Sequence, residues 1–129
     1  MPKRILVIDD NPTARSVMAD CLRFEGYLVA TAETASIGLD KCERTTFDLV
    51  ITDIILPDRE GTSLIVELRK RFPGMRVVAV SGAPRTAFID HLEMATKLGA
   101  DHVLGKPFRT GDLRECVRKL LESESAAAS

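Results

Sequence analysis

No stretch of this chain approaches the roughly 18 consecutive apolar residues that a membrane-spanning helix requires. Its opening residues pass from Lys3-Arg4 straight into a short strand-like run, too brief for the apolar region of a signal peptide and followed by no small-residue cleavage site. A soluble, cytoplasmic protein without a membrane partner is expected. An excess of one charge is missing too: 18 Lys and Arg face 19 Asp and Glu, a formal net charge of -1. That balance gives no reason to expect direct nucleic-acid binding. Cysteine is scarce, and Cys21, Cys42 and Cys116 are far apart, in helix-like sequence, with no Cys-x-x-Cys pair. They read as reduced helix residues, and His91 and His102 add no metal-ligand spacing. Repeats and interdomain linkers are also lacking, so the 129 residues read as a single domain.

What the chain does contain is a regular alternation of short apolar runs and amphipathic segments. Arg4 to Ile8 reads as a strand (β1), and Asn11-Pro12 starts a helix (α1) that Gly26 closes. Tyr27 to Thr31 reads as β2, a weaker helix capped by Thr34 and containing Gly38 runs to about Arg44 (α2), and Asp48 to Thr52 reads as β3. Thr62 to Phe72 forms α3, with Leu64, Ile65, Leu68 and Phe72 facing inward, and Pro73-Gly74 stops it. Arg76 to Val80 is β4, Pro84 to Leu98 is α4, and His102 to Leu104 is β5. Thr110 caps α5, whose apolar stripe ends at Leu121, leaving a domain over 1–122 and a flexible tail over 123–129. Strands joined by single helices are parallel neighbours with right-handed crossovers, which predicts an α/β fold with helices on both sheet faces. The basic run Arg69-Lys70-Arg71 reads as a solvated helix end that suits the dipole.

Functional groups fall at the ends of four of these strands. Asp9-Asp10 follows β1, Asp53 follows β3, Ser81 follows β4 and Lys106 follows β5, so all are delivered to one sheet edge, where such folds bind ligands. Clustered carboxylates repel one another unless a cation lies among them. Mg²⁺ suits the set, because it accepts a few carboxylates and keeps positions for water and a phosphoryl oxygen. One carboxylate can then attack phosphorus while a lysine and a hydroxyl stabilise the charge on the equatorial oxygens. Pro107 disfavours helix at Lys106 and leaves a cis bond possible there, so the lysine is aimed.

The segments Ile8-Asp9-Asp10-Asn11, Asp48 to Pro57 with Gly61 beyond, Val80-Ser81-Gly82, and Gly99-Ala100-Asp101 leading to Lys106-Pro107-Phe108 together resemble the receiver domain of two-component response regulators. Over residues 3–121 the chain is similar to the single-domain chemotaxis members of that family. The resemblance implies a flavodoxin-like, doubly wound five-stranded parallel sheet of strand order 2-1-3-4-5. It implies that Asp53 accepts a phosphoryl group from a histidine kinase or histidine phosphotransfer protein. It also implies that Asp10, Asp53 and the Ile55 backbone carbonyl bind Mg²⁺ directly, Asp9 acts mainly through water, Ser81 swings toward the phosphoryl group, and Lys106 pairs with it. A surface around α4, β5 and α5 would then engage a downstream protein. Such a chain is a switch, not a conventional enzyme. After α5 it leaves no room for an output domain, so it is expected to act alone, to pass its phosphoryl group on, or to be part of a larger chain.

Three departures from the family pattern stand out. Val103 occupies the position where relatives carry a Tyr or Phe that moves with the hydroxyl; the interval from Ser81 to Gly99 is longer than usual, which predicts an altered loop over 82–88; and Ile55 is bulky and apolar beside the phosphoacceptor. His102, next to Val103, is expected on the opposite, exposed side of its strand. Two other readings compete. A haloacid-dehalogenase-like phosphatase also uses an aspartate nucleophile with Mg²⁺, but it needs a second acid two residues on, where this chain has Ile55. A pseudo-receiver would keep the fold as a binding module and never be phosphorylated. Individually, the acids and Ser81 could merely cap helices, and Lys106 could be a loop lysine.

Overall fold

The computed structural model describes residues 2–82 and 84–128, with the side chains of 85, 86 and 123–128 outside that description. Elements alternate strictly: β1 (Arg4–Ile8), α1 (Pro12–Phe24), β2 (Leu28–Ala32), α2 (Ala35–Arg44), β3 (Leu49–Asp53), α3 (Gly61–Arg71), β4 (Arg76–Ser81), α4 (Arg85–Leu98), β5 (His102–Gly105) and α5 (Thr110–Ala128). The strands form one sheet of order β2-β1-β3-β4-β5, and every adjacent pair is parallel. This is the doubly wound order implied by the resemblance. Among the described residues no helix is long and apolar enough to cross a membrane.

The three central strands are apolar along their length because both of their faces are covered. Successive side chains of β1 divide accordingly. Leu6 and Ile8 pack with Leu64, Ile65 and Leu68 of α3 and Ala95 of α4, whereas Ile5 and Val7 pack with Met18 and Leu22 of α1 and Leu113 and Val117 of α5. Gly38, an apparent weakness in α2, is instead a packing requirement. A Cβ there would collide with the Ile8 side chain, so glycine lets α2 lie close to β1.

Local signals account for the helix boundaries. The Asn11 side chain accepts the Ala14 N–H at 2.9 Å and Pro12 occupies the first turn of α1. Thr34 accepts the Ile37 N–H at 3.1 Å to cap α2. At the far end of α1, Gly26 and Tyr27 donate to the Arg23 and Leu22 carbonyls, with Gly26 left-handed at φ 95°, the two-bond closure that glycine favours.

Three sequence expectations need correction. The altered loop expected over 82–88 is not a loop beyond Pro84: α4 begins at Arg85, close to the helix start read at Pro84, and runs for 14 residues, while Ala83 lies outside the described residues. Arg69 is not a solvated helix-end charge. It donates to the Gly99, Pro73 and Met75 carbonyls and to Asp101 Oδ2, and Asp101 also accepts the Val77 N–H, so this pair clasps α3 to the α4–β5 connection. Finally, the backbone of α5 continues as helix to Ala128 instead of ending near Leu121. The alanines and glutamates of that stretch are strong helix formers.

Candidate functional site

Each strand end delivers its group to the same edge of the sheet. Asp9 directly follows β1; its N–H still pairs with the Ala32 carbonyl at 3.1 Å, and its side chain is wholly buried. One carboxylate oxygen accepts the Asn11 N–H at 2.9 Å and the other accepts from Lys106 Nζ at 2.9 Å. Asp53, the last residue of β3, repeats the arrangement. Its Oδ1 accepts the Ile55 N–H at 3.0 Å and its Oδ2 accepts from the same Lys106 Nζ at 2.9 Å. Lys106 thus bridges two buried acids from neighbouring strands.

The lysine is held by its backbone as well. Its N–H donates to the Ser81 carbonyl at 2.7 Å, extending the β4–β5 pairing of Ser81 with Gly105, and the following Lys106–Pro107 bond is cis. Burial by itself works to lower the Lys106 pKa, but hydrogen bonds and charge from Asp53 and Asp9 outweigh it, so the net direction is upward. The ammonium form is therefore secured at neutral pH.

Asp10 is exposed beside this pair, and oxygens of Asp9, Asp10 and Asp53 lie within 4.8 Å of one another. A single ammonium does not balance three carboxylates at such separations. The donor set is all hard oxygen, so the acidic cluster could hold a metal ion.

The loop after β3 forms one rim. Ile55 is 67% exposed and bridges to Glu60, while Gly61 donates to the Ile54 carbonyl at 2.6 Å. A Cβ on Gly61 would overlap the Asp53 carbonyl oxygen, so glycine is what allows α3 to start this close to the phosphoacceptor candidate. Asp58, which the sequence reading passed over, accepts the Ala35 and Ser36 N–H groups at 3.0 and 2.9 Å. It fastens this loop to the start of α2, a cap borrowed from elsewhere in the chain.

Ser81, at the end of β4, is almost wholly buried, and its Oγ lies 2.9 Å from His91 Nδ1 on α4. His91 is the second residue that sequence reasoning missed, having been weighed only as a metal ligand. The signal was present: Phe88, His91, Ala95 and Leu98 recur at helical spacing, and all but His91 belong to the apolar cluster under α4. Val103 is buried and His102 exposed on β5, as the strand alternation predicts. The cysteines are all free thiols, and burial pushes those of Cys42 and Cys116 up to about 11, well away from reactivity at neutral pH.

Comparison with known proteins agrees with this geometry. The model of the response regulator receiver domain matches residues 5–118. The probable transcriptional regulatory protein TcrX of Mycobacterium tuberculosis is 32% identical over 120 residues, a span covering 93% of this chain and 50% of that protein. The sensor kinase CckA of Brucella abortus is 30% identical over 122 residues, 93% of this chain but 13% of that protein. The chain therefore spans half or less of these curated relatives. A crystal structure of a CheY-like response regulator receiver domain protein from Methanospirillum hungatei JF-1 superposes with a TM-score of 0.91 at 35% identity, covering 98% of this chain and 99% of that one. Strand order, the acids gathered with Lys106 at one sheet edge, and the match along nearly the whole length lead to one conclusion: the chain belongs to the response regulator receiver domains.

Proposed function

We propose that this protein is a phosphorylation switch in which Asp53 accepts a phosphoryl group from the phosphohistidine of a histidine kinase or phosphotransfer protein. The observation that carries the reading is the Lys106 ammonium lying 2.9 Å from both Asp9 and Asp53, because it places a cation beside the one acid that ends a strand at the centre of the site. In the transfer, an Asp53 carboxylate oxygen attacks phosphorus and the bond from phosphorus to the imidazole nitrogen breaks, its electrons leaving with the ring. Mg²⁺, held by Asp10, Asp53 and the Ile55 carbonyl, with Asp9 acting mainly through water, would neutralise charge on the phosphoryl oxygens. Lys106 exchanges its hold on the Asp53 carboxylate for a phosphoryl oxygen, and Ser81 contributes its hydroxyl proton to another.

The protein catalyses only its own phosphorylation and dephosphorylation. It works in the cytoplasm, with residues 1–122 as the receiver unit and 123–129 as an appendage. It signals by shifting the α4, β5 and α5 surface between two populations that a downstream protein distinguishes. The test is to incubate the protein with acetyl phosphate and Mg²⁺ and to weigh it. One added phosphoryl group, absent in Asp53→Asn, is the expected result. No addition would identify a pseudo-receiver, and rapid turnover of added phosphoesters would identify a phosphatase.

A further inference from the structure

The contact between Ser81 and His91 has no counterpart in the chemistry described so far. His91 sits one turn along α4 from Phe88 and one turn before Ala95 on the face turned to the sheet, and its Nδ1 is 2.9 Å from the Ser81 oxygen. Phe88 reaches the same region. Its ring lies against Gly105, where even a Cβ would come within 3.1 Å of it, so α4 touches the residue before Lys106 through one side chain and Ser81 through the next. Val103, buried on β5, has no polar atom to offer the hydroxyl. A serine hydroxyl carries one proton and can donate it to only one acceptor at a time. With Nδ1 as the acceptor of the Ser81 proton, histidine nitrogen and phosphoryl oxygen are alternatives for it.

We propose that His91, in the tautomer whose Nδ1 accepts the Ser81 proton, is the positioning residue of the switch. In the unphosphorylated protein it holds the Ser81 hydroxyl; when Asp53 carries a phosphoryl group, the hydroxyl turns its proton to a phosphoryl oxygen and releases His91. The event at the site is thereby passed to α4 by loss of a hydrogen bond rather than by rotation of an aromatic ring on β5. The inference rests on the reading of Asp53 as the phosphoryl acceptor.

The test uses the full chain with ¹⁵N-labelled histidine, whose exposed His102 serves as an internal reference. Adding acetyl phosphate and Mg²⁺ is expected to shift the His91 Nδ1 resonance and leave that of His102 in place, and Ser81→Ala is expected to move His91 the same way without phosphorylation. His91→Phe keeps a ring but removes the nitrogen, and should raise the rate of phosphoryl uptake about 2- to 10-fold, the weight of one hydrogen bond. His91→Asn, whose amide reaches where Nδ1 lies, should return the rate toward that of the parent. Phosphorylation seen by mass without movement of the His91 resonance overturns this inference alone, as do Phe and Asn variants with equal rates. No phosphoryl addition to the parent overturns the reading of Asp53 and this inference with it.

Discussion

At the residue scale, Lys106 carries two roles that pull in different directions. It compensates Asp9 and Asp53, yet in the proposed transfer it must leave Asp53 free to react. Lys106→Met should destabilise the fold by about 1–3 kcal/mol in chelator-treated protein, since it strands a wholly buried Asp9 without its cation. Urea titration measures this, and added Mg²⁺ should recover part of the loss. The pH dependence has a definite sign. Because the Lys106 pKa is raised on folding, its contribution is fully present below the ordinary lysine value of about 10.4 and is lost as pH climbs through the higher folded value. Alkaline urea titrations should show that loss in the parent and not in Lys106→Met. Ile55 supplies another expectation. Its exposed side chain stands beside Asp53, the proposed phosphoacceptor; if it obstructs an approaching water, Ile55→Asn should shorten the lifetime of phosphorylated Asp53. Phosphoryl loss followed by mass at intervals after removing acetyl phosphate measures this, and an unchanged lifetime would refute it.

At the element scale, two clasps fix how helices sit over the sheet. Arg69 gathers three carbonyls and Asp101 at the junction of α3 with the α4–β5 connection, and Arg69→Met should cost about 1.5–3 kcal/mol, the range for hydrogen bonds to charged groups. Asp58 clasps the loop after β3 to α2. Burial alone would raise its pKa, but the Ser36 and Ala35 N–H groups outweigh that and bring it below the ordinary aspartate value of 3.8. Its contribution is therefore present above that value and fades as pH falls through the lower folded one; Asp58→Asn should flatten acid unfolding curves in that window. Neither clasp was legible in the sequence, and the reason is physical. Each joins residues more than 20 positions apart, and periodicity reports only which face of an element is apolar. The elements themselves were legible because β1, β3 and β4 are buried on both faces and capping residues such as Asn11 and Thr34 sit at helix starts.

At the scale of the whole molecule, the site was readable because parallel topology sends every strand's carboxyl end the same way. Asp9, Asp53, Ser81 and Lys106 needed only correct strand assignment to be placed together. His91 escaped because it belongs to a helix face, where a polar residue at an inward position gives no hint of its partner. Magnesium should act on the entire fold. If it binds only the native acid cluster, stability rises by about 2.7 kcal/mol at a hundredfold excess over Kd. Thermal melts across a Mg²⁺ series should show that rise in the parent and lose most of it in Asp10→Asn.

Among the described contacts, the two rims of the cleft are fastened by different means. On the β3 side, Gly61 is pressed against the Asp53 backbone, Gly61 N–H holds the Ile54 carbonyl, and Asp58 is tied to α2. On the β4 side, the described contacts that link Ser81 and Gly105 to α4 are side-chain contacts made by His91 and Phe88. If phosphorylation of Asp53 displaces Ser81 as proposed, the His91 and Phe88 side chains are the described contacts through which α4 would register it.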